Sequence, residues 1–299
     1  MRDTKIATMT VAEAERYTRR LATTHYENFH VVSFLLPKHL HQDFYNVYAY
    51  CRSADDLADE IPDAAESLGQ LHWWGGELDR MYAGEAEHPV FVALQGTVAK
   101  YGIPKQPFAD LIRAFIQDRN VNRYRTWDEV LDYCVYSANP VGRLVLYLCG
   151  YSDAERQSLS DATCTALQLA NFWQDITVDQ QKDRVYLPLD LLAKHDYTVE
   201  ELFAREFDKR FVAIMREAVD RARELFLAGL PLARMVNRRL AVDLELFTRG
   251  GMRVLDRIER QGYDVFSRRP KISKVERVGL LFGTLARVAL DRAAFKPAA

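Results

Sequence analysis

Apolar residues recur at spacings of three and four along nearly the whole chain, with polar residues filling the opposite positions. That period predicts helices over 10–26, 39–60, 64–83, 89–103, 106–119, 127–149, 153–181, 199–203, 207–229 and 235–261. Strictly alternating runs are nearly absent, so no sheet is expected. Val31–Leu36 is apolar but stops at Pro37, and reads as a lead-in to the next helix. The 14 glycines and 10 prolines fall mostly between the periodic segments. Ser137-Ala138-Asn139-Pro140-Val141-Gly142 is different: it sets Pro and Gly inside a helical stretch and predicts a kink. Such a kink either opens room beside small residues or is incidental to packing. The segment 180–190, with Lys182, Asp183, Arg184, Tyr186 and Pro188, reads as a connection. No repeat or low-complexity stretch appears. The expected architecture is all-α, one domain over 1–299 with a core between long helices, and only a weak signal for a boundary near 180.

Two acidic clusters interrupt this pattern. Asp55-Asp56-Leu57-Ala58-Asp59 lies late in one predicted helix and Asp175-Ile176-Thr177-Val178-Asp179 late in another. In each, the outer aspartates are four residues apart, so their carboxylates project side by side with no lysine or arginine between them. Like charges repel at that spacing, and the helix dipole is unfavourable to anions toward the C-terminus. A cation relieves both problems. Carboxylate oxygens are hard ligands, and Mg²⁺ bridging to a phosphate-bearing substrate is the natural choice. For either cluster alone, a solvated acidic face is the plain alternative.

The neighbours of each cluster extend it into a polar stripe. Tyr48, Arg52, Asp55 and Asp59 share one helical face, while Val47, Ala54 and Leu57 point toward packing. Gln168, Asn171, Asp175 and Asp179 share another, surrounded by Leu167, Leu169, Phe172, Trp173 and Ile176. A carboxylate on so apolar a helix needs a partner or a wet cavity. The simplest expectation sets the stripes across a central cavity, with Mg²⁺ at both rims and a diphosphate between. Asn171 then offers a neutral oxygen ligand or a contact to one. Arg52, Arg184 and Arg268, with Gln168, are the candidate diphosphate contacts, since a guanidinium donates two parallel hydrogen bonds. An ordinary surface ion pair is the alternative for each arginine, and for Arg268, within Arg268-Arg269-Pro270-Lys271, the two readings weigh equally. This chemistry permits ionisation of an allylic or similarly activated diphosphate. Aromatic faces would stabilise the carbocation in a dry pocket, and Tyr48, Tyr133 and Tyr186 are the candidates.

Composition narrows the class. The 299 residues carry 40 basic and 42 acidic side chains, without the basic excess of a nucleic-acid binder. Cys51, Cys134, Cys149 and Cys164 show neither CxxC nor zinc spacing and read as reduced thiols in helices. Met1–Lys5 opens without a signal-peptide pattern, and no uncharged apolar run reaches a membrane span. The expected location is the cytosol, with peripheral attachment at the inner membrane face left open.

Taken together, Tyr48–Glu60, Leu167–Asp179 and Arg184-Val185-Tyr186-Leu187-Pro188 resemble the squalene/phytoene synthase family of head-to-head prenyl synthases, and the likeness covers nearly all of the chain. The resemblance implies a helical isoprenoid-synthase fold around a central cavity, Mg²⁺ dependence and a prenyl diphosphate substrate. It assigns metal binding to Asp55, Asp59, Asn171, Asp175 and Asp179. Diphosphate contacts fall on Arg52, Arg184 and, by its spacing after Tyr263, Arg268. A substrate-side role falls on His25.

Within the family, Glu27-Asn28-Phe29, Ser137–Arg143 and Asn171-Phe172-Trp173-Gln174-Asp175 resemble the bacterial hydroxysqualene synthase branch of hopanoid pathways. That branch takes presqualene diphosphate, ionises it and quenches the rearranged cation with water. Gln174 replaces a usual arginine, removing a positive charge beside the metal site. Gly251 stands where relatives often place a tyrosine. No Gly-rich dinucleotide fingerprint is present, so a partner enzyme for reduction, and a second synthase of the pathway, are the expected associates. A condensing synthase making presqualene diphosphate, squalene or phytoene is the alternative activity. A non-catalytic assembly factor is the alternative of another class, and the two intact acidic pairs speak against it.

Overall fold

The computed structural model describes residues 9–24 and 37–290. His25, Glu27-Asn28-Phe29 and Val31–Leu36 lie outside the described residues. The described helices are α1 (Val11–Thr24), α2 (His41–Asp59), α3 (Ala64–Ala83), α4 (Pro89–Tyr101), α5 (Gln106–Asn120), α6 (Trp127–Ser137), α7 (Asn139–Leu148), α8 (Ala154–Asp179), α9 (Leu189–Lys194), α10 (Val199–Phe203), α11 (Lys209–Gly229), α12 (Arg238–Arg260) and α13 (Lys274–Leu290). Among these residues there is no strand, only an isolated backbone bridge between Arg123 and Val185. The fold class is all-α, as the periodicity predicts.

Helix starts are written in short polar side chains. Asp63, Thr126, Asp153, Asp208 and Asn237 each accept a hydrogen bond from a backbone N–H in the first turn that follows, and Thr198 completes a capping box with Glu201. Gly84 and Gly102 close α3 and α4 in the left-handed conformation. The predicted 127–149 helix is two helices. The chain breaks at Ala138, and Pro140 falls in the first turn of α7, where its missing N–H is no loss. Two helices lie outside the predicted set. α9 is only six residues long and follows Pro188, and α13 contains Gly279 and Gly283, which lower helical propensity.

The chain forms two compact units, 1–119 with 144–151, and 120–143 with 152–299. α7 therefore gives its first residues to one unit and its last to the other, and the second unit runs unbroken through residue 180.

In the first unit, Tyr50, Trp74, Phe91 and Phe108 form an aromatic core, and the Tyr50 hydroxyl donates to the Phe108 carbonyl at 2.8 Å. A polar chain fixes α2 against α1 and α4. Thr18 donates to Asn46 at 2.6 Å, Asn46 to Thr97 at 3.0 Å, Thr97 to Asp43 at 2.9 Å, and Lys100 to Asp43 at 2.7 Å. Because Asp43, Asn46, Tyr50 and Ala54 are buried, the opposite face of α2, carrying Arg52, Asp55 and Asp59, is turned outward.

In the second unit α8 is central, with Ala166, Leu169, Phe172, Trp173 and Ile176 buried. Close approach to it depends on glycines, Gly142 and Gly251 among them. A Cβ on Gly142 of α7 would lie 2.3 Å from Ser160 Oγ and 2.5 Å from Cys164 Sγ. A Cβ on Gly251 of α12 would lie 2.2 Å from Phe226 Cζ and 3.0 Å from Leu167 Cδ2. Gly142 thus closes a contact between α7 and α8. Salt bridges lace the outside: Arg223 of α11 reaches Asp256 and Glu259 at 3.0 and 2.8 Å, and Arg257 reaches Glu276 of α13 at 2.9 Å.

Candidate active site

The first acidic cluster is organised by its own arginine. Arg52 pairs with Asp55 at 3.3 Å, with Glu60 at 3.2 Å and more closely with Asp56. Burial works against the Arg52 charge, but its hydrogen bond to Asp56 and the charges of Asp56 and Asp55 outweigh it and raise the pKa. Tyr48 shares this face. Burial is the main cause that raises its phenol pKa, with the two aspartates adding and Arg52 opposing, so the hydroxyl keeps its proton. Arg119 of α5 donates to the carbonyls of Ala58 and Pro62 at 3.2 and 3.3 Å. Through Ala58 it places a positive charge on a C-terminal carbonyl of α2, where the dipole is least favourable to Asp59. Nothing in the local spacing around Arg119 marks it, since its partner lies 61 residues away.

The second cluster sits at the end of α8. Gln168, Asn171, Asp175 and Asp179 lie on a face distinct from buried Leu169, Phe172 and Trp173; Asn171 is exposed and the other three are half-buried. The Asp175 side chain is 13% exposed and takes a two-pronged contact from Arg269, whose Nη2 donates to Oδ2 at 2.9 Å and whose Nε donates to Oδ1. The hydrogen bond to Asp175 is the main cause that raises the Arg269 pKa, helped by the charges of Asp175 and Asp179 against a smaller opposing effect of burial. Of the adjacent arginines, then, Arg269 meets the acidic cluster, while Arg268 is exposed and offers its carbonyl to Gln261 at 3.0 Å. Two neighbouring arginines give no spacing by which sequence could choose between them.

The connection after α8 carries the remaining candidates. The Arg184 N–H donates to the Asp179 carbonyl at 2.9 Å, and Val185 and Leu189 donate to Asn122 and Tyr124, also at 2.9 Å. These bonds hold Arg184 and Tyr186 beside the end of α8. A small pocket of about 10 Å³, room for a single water, opens there. Its polar walls include Asp179, Gln180 and Arg184, and its apolar walls include Phe172, Ile176 and Tyr186. Tyr186 lies flat on Phe172, and Tyr133 and Tyr124 stack around the pair with centroids 5.4 to 6.2 Å apart. Tyr133 and Tyr186 are thus brought together, with Phe172 and Tyr124 as partners that sequence reasoning missed. Phe172 was hidden because its α8 spacing is that of any core residue.

The donor set suits a hard cation. It is made of carboxylate and amide oxygens, and no three His, Cys, Asp or Glu side chains form a ready-made metal cluster among the described residues. Pairs of carboxylates fit Mg²⁺, which is commonly held by one or two carboxylates together with substrate phosphates and water. Asp175, little exposed and matched by a guanidinium, is a carboxylate whose environment calls for a positive charge.

Comparisons with known proteins identify the family. The squalene/phytoene synthase family model matches residues 22–276. The hydroxysqualene synthase of Rhodopseudomonas palustris is 34% identical over 266 residues, covering 87% of this chain and 88% of its own. The 15-cis-phytoene synthase of Synechococcus elongatus is 30% identical over 275 residues, covering 88% and 89%. Among solved structures, squalene synthase HpnC from Alicyclobacillus acidocaldarius superposes with a TM-score of 0.82 at 44% identity, covering 85% of this chain and 96% of that one. A dehydrosqualene synthase shares the fold, at a TM-score of 0.82 and 23% identity. The chain belongs to the squalene/phytoene synthase family.

Proposed function

We propose that this chain is a magnesium-dependent isoprenoid synthase that converts presqualene diphosphate and water into hydroxysqualene and diphosphate. The C–O bond to the diphosphate breaks with its electron pair on the leaving group. Water then forms the new C–O bond and gives up a proton. The observation that carries this reading is the α8 end. There Asp179 and Arg184 line a pocket walled by the Phe172–Tyr186 stack, and Asp175 lies one turn earlier on the same helix. It combines groups for a charged head with aromatic faces for a cation. When bound, Mg²⁺ supplies charge stabilisation of the departing diphosphate. Asp55, Asp59, Asn171, Asp175 and Asp179 are the residues that would hold it. Arg52, Arg184, Arg268 and Gln168 are assigned to the diphosphate, and Tyr48, Tyr133 and Tyr186 to the cation, with His25 on the substrate side.

The hydroxysqualene synthase relative, at 34% identity, supports the hydrolytic outcome. Phytoene synthases at 30–32% identity support the second reading, a condensing synthase. Product analysis by mass spectrometry decides between them, with presqualene, farnesyl and geranylgeranyl diphosphates offered separately with Mg²⁺ and without NADPH. Hydroxysqualene from presqualene diphosphate is expected. Untouched presqualene diphosphate alongside condensed farnesyl diphosphate would establish the second reading.

We also propose peripheral contact with an anionic membrane surface from the cytoplasmic side. No helix among the described residues is long and apolar enough to cross a membrane. α13, however, exposes Val278, Phe282 and Leu285 along one stripe. Residues 268–299 carry eight basic and two acidic side chains, against 32 and 40 in the rest of the chain. An apolar stripe within a basic segment is the composition of an interfacial helix.

A further inference from the structure

Gln174 lies one residue before Asp175 on α8, and its amide donates to the Pro270 carbonyl. The residue before Pro270 is Arg269, whose guanidinium takes the Asp175 carboxylate in a fork, with Nη2 to Oδ2 at 2.9 Å. Two adjacent side chains of α8 therefore hold two adjacent residues of the segment that follows α12. That segment arrives already shaped. Gln261 donates to the carbonyls of Asp264 and Arg268 at 2.7 and 3.0 Å. Asp264 accepts from the N–H groups of Phe266 and Ser267 at 3.1 and 2.9 Å. The path is set as far as Arg268, and Gln174 fixes the next step, the one that decides where Arg269 points.

We infer that Gln174 is a positioning residue: through Pro270 it keeps Arg269 on Asp175 as an internal counterion that a divalent cation must displace. The inference rests on Asp175 being a metal ligand, as proposed above. A carboxylate so little exposed is poorly served by water, and the fork supplies charge and two hydrogen bonds at once. The amide of Gln174 is a neutral donor, so it anchors the loop without putting a second fixed cation next to Asp175. The counterion is thereby carried on a loop and not on the helix. The Arg269 side chain is 39% exposed, so its charge can leave for water at small penalty once a metal ion takes the carboxylate. Gln174 and Arg269 would then set the concentration of free cation at which Asp175 loads.

The test is titration of the full chain with Mn²⁺ alone, free ion being counted by electron paramagnetic resonance. The variants are Arg269→Gln, Arg269→Lys, Gln174→Leu and Asp175→Asn, each checked for fold by near-UV circular dichroism. Arg269→Gln is expected to bind Mn²⁺ about threefold to tenfold tighter than the wild type, as suits loss of a partly exposed bidentate competitor. Gln174→Leu and Arg269→Lys should shift affinity in the same direction by less. In the wild type, amide exchange over 264–273 should quicken when Mn²⁺ is added. Folded Arg269→Gln or Gln174→Leu protein with unchanged or weaker Mn²⁺ affinity overturns the counterion role, while loss of binding in Asp175→Asn still upholds the metal site. Equal, negligible binding by the wild type and Asp175→Asn removes the metal reading and the counterion with it.

Discussion

Phe172 lies flat on Tyr186, with ring centroids 3.7 Å apart and planes 5° from parallel. One ring comes from the buried face of α8 and the other from the connection beyond it, so the stack joins both sides of the cavity wall. An electron-rich face beside a developing cation is worth about 0.5–2 kcal/mol. Phe172→Leu keeps apolar volume but removes the face, and kcat is expected to fall about threefold to thirtyfold with little change in KM. Tyr186→Phe keeps the face and should retain most activity. If Tyr186→Phe is instead the damaging change, the hydroxyl and not the ring is the working group.

Gly251 is where the backbone of α12 meets the Phe226 ring, so any side chain there displaces Phe226 or separates the helices. Gly251→Ala is expected to destabilise by about 1–3 kcal/mol, the usual penalty for overpacking a tight contact. Phe226→Leu relieves the clash, so the double variant should lose less than the two single losses combined, as urea denaturation of all four proteins would show. Simple additivity would mean that the two sites do not share the space. The same contact explains the departure at this position. A tyrosine, the residue the family resemblance leads one to expect, does not fit unless Phe226 moves.

The helices and both acidic faces were legible because each is a local signal. Helical period, caps and i,i+4 carboxylates involve residues within a turn or two of one another. Spacing alone therefore put Asp55 and Asp59 on one face of a helix; that this face turns outward from α2's buried side was not read from it, since the expectation set it toward a central cavity. Arg119 and Arg269 were not, because each meets its carboxylate or carbonyl partners across 57 or more residues of sequence. The break at Ala138 was legible as a kink from Pro140, but its use was not. That Gly142 closes on Ser160 and Cys164 depends on which helix lies opposite. α13 escaped because two glycines dilute its pattern and because its apolar stripe is exposed, against the usual sense of burial.

Asp243 on α12 is 2% exposed, and neither of its carboxylate oxygens has a hydrogen-bond partner among the described residues. Burial pushes its pKa up to about 8. An unfolded aspartate titrates near about 4. Between those values the folded chain keeps a proton that the unfolded chain has released, so stability falls as pH rises through the window and levels off above it. Asp243→Asn cannot ionise. It should be the more stable protein at pH 8, by about 1–3 kcal/mol, with the gap closing toward pH 4. Urea melts at several pH values measure that gap. A gap that does not change with pH would show that Asp243 is charged and paired in the folded protein.

Phe282 is 66% exposed on α13, in line with Val278 and Leu285, and its removal should therefore touch membrane contact and not the fold. Insertion of a phenylalanine ring into the interface contributes about 1.5–3 kcal/mol by area. Basic groups near the surface add about 1 kcal/mol each to attraction by anionic lipid, and that share is screened by salt. Wild-type protein is expected to sediment with vesicles containing phosphatidylglycerol, to bind neutral vesicles weakly, and to be released progressively by salt. Phe282→Asp adds a negative charge where the ring was, and should lower vesicle binding at least tenfold with Tm unchanged. Equal binding of the two proteins would take α13 out of the contact. Binding that ignores both lipid charge and salt would leave the basic segment without a part in it. A Phe282→Asp protein that binds lipid normally but changes its sedimentation as free protein would assign the stripe to a second copy of the chain.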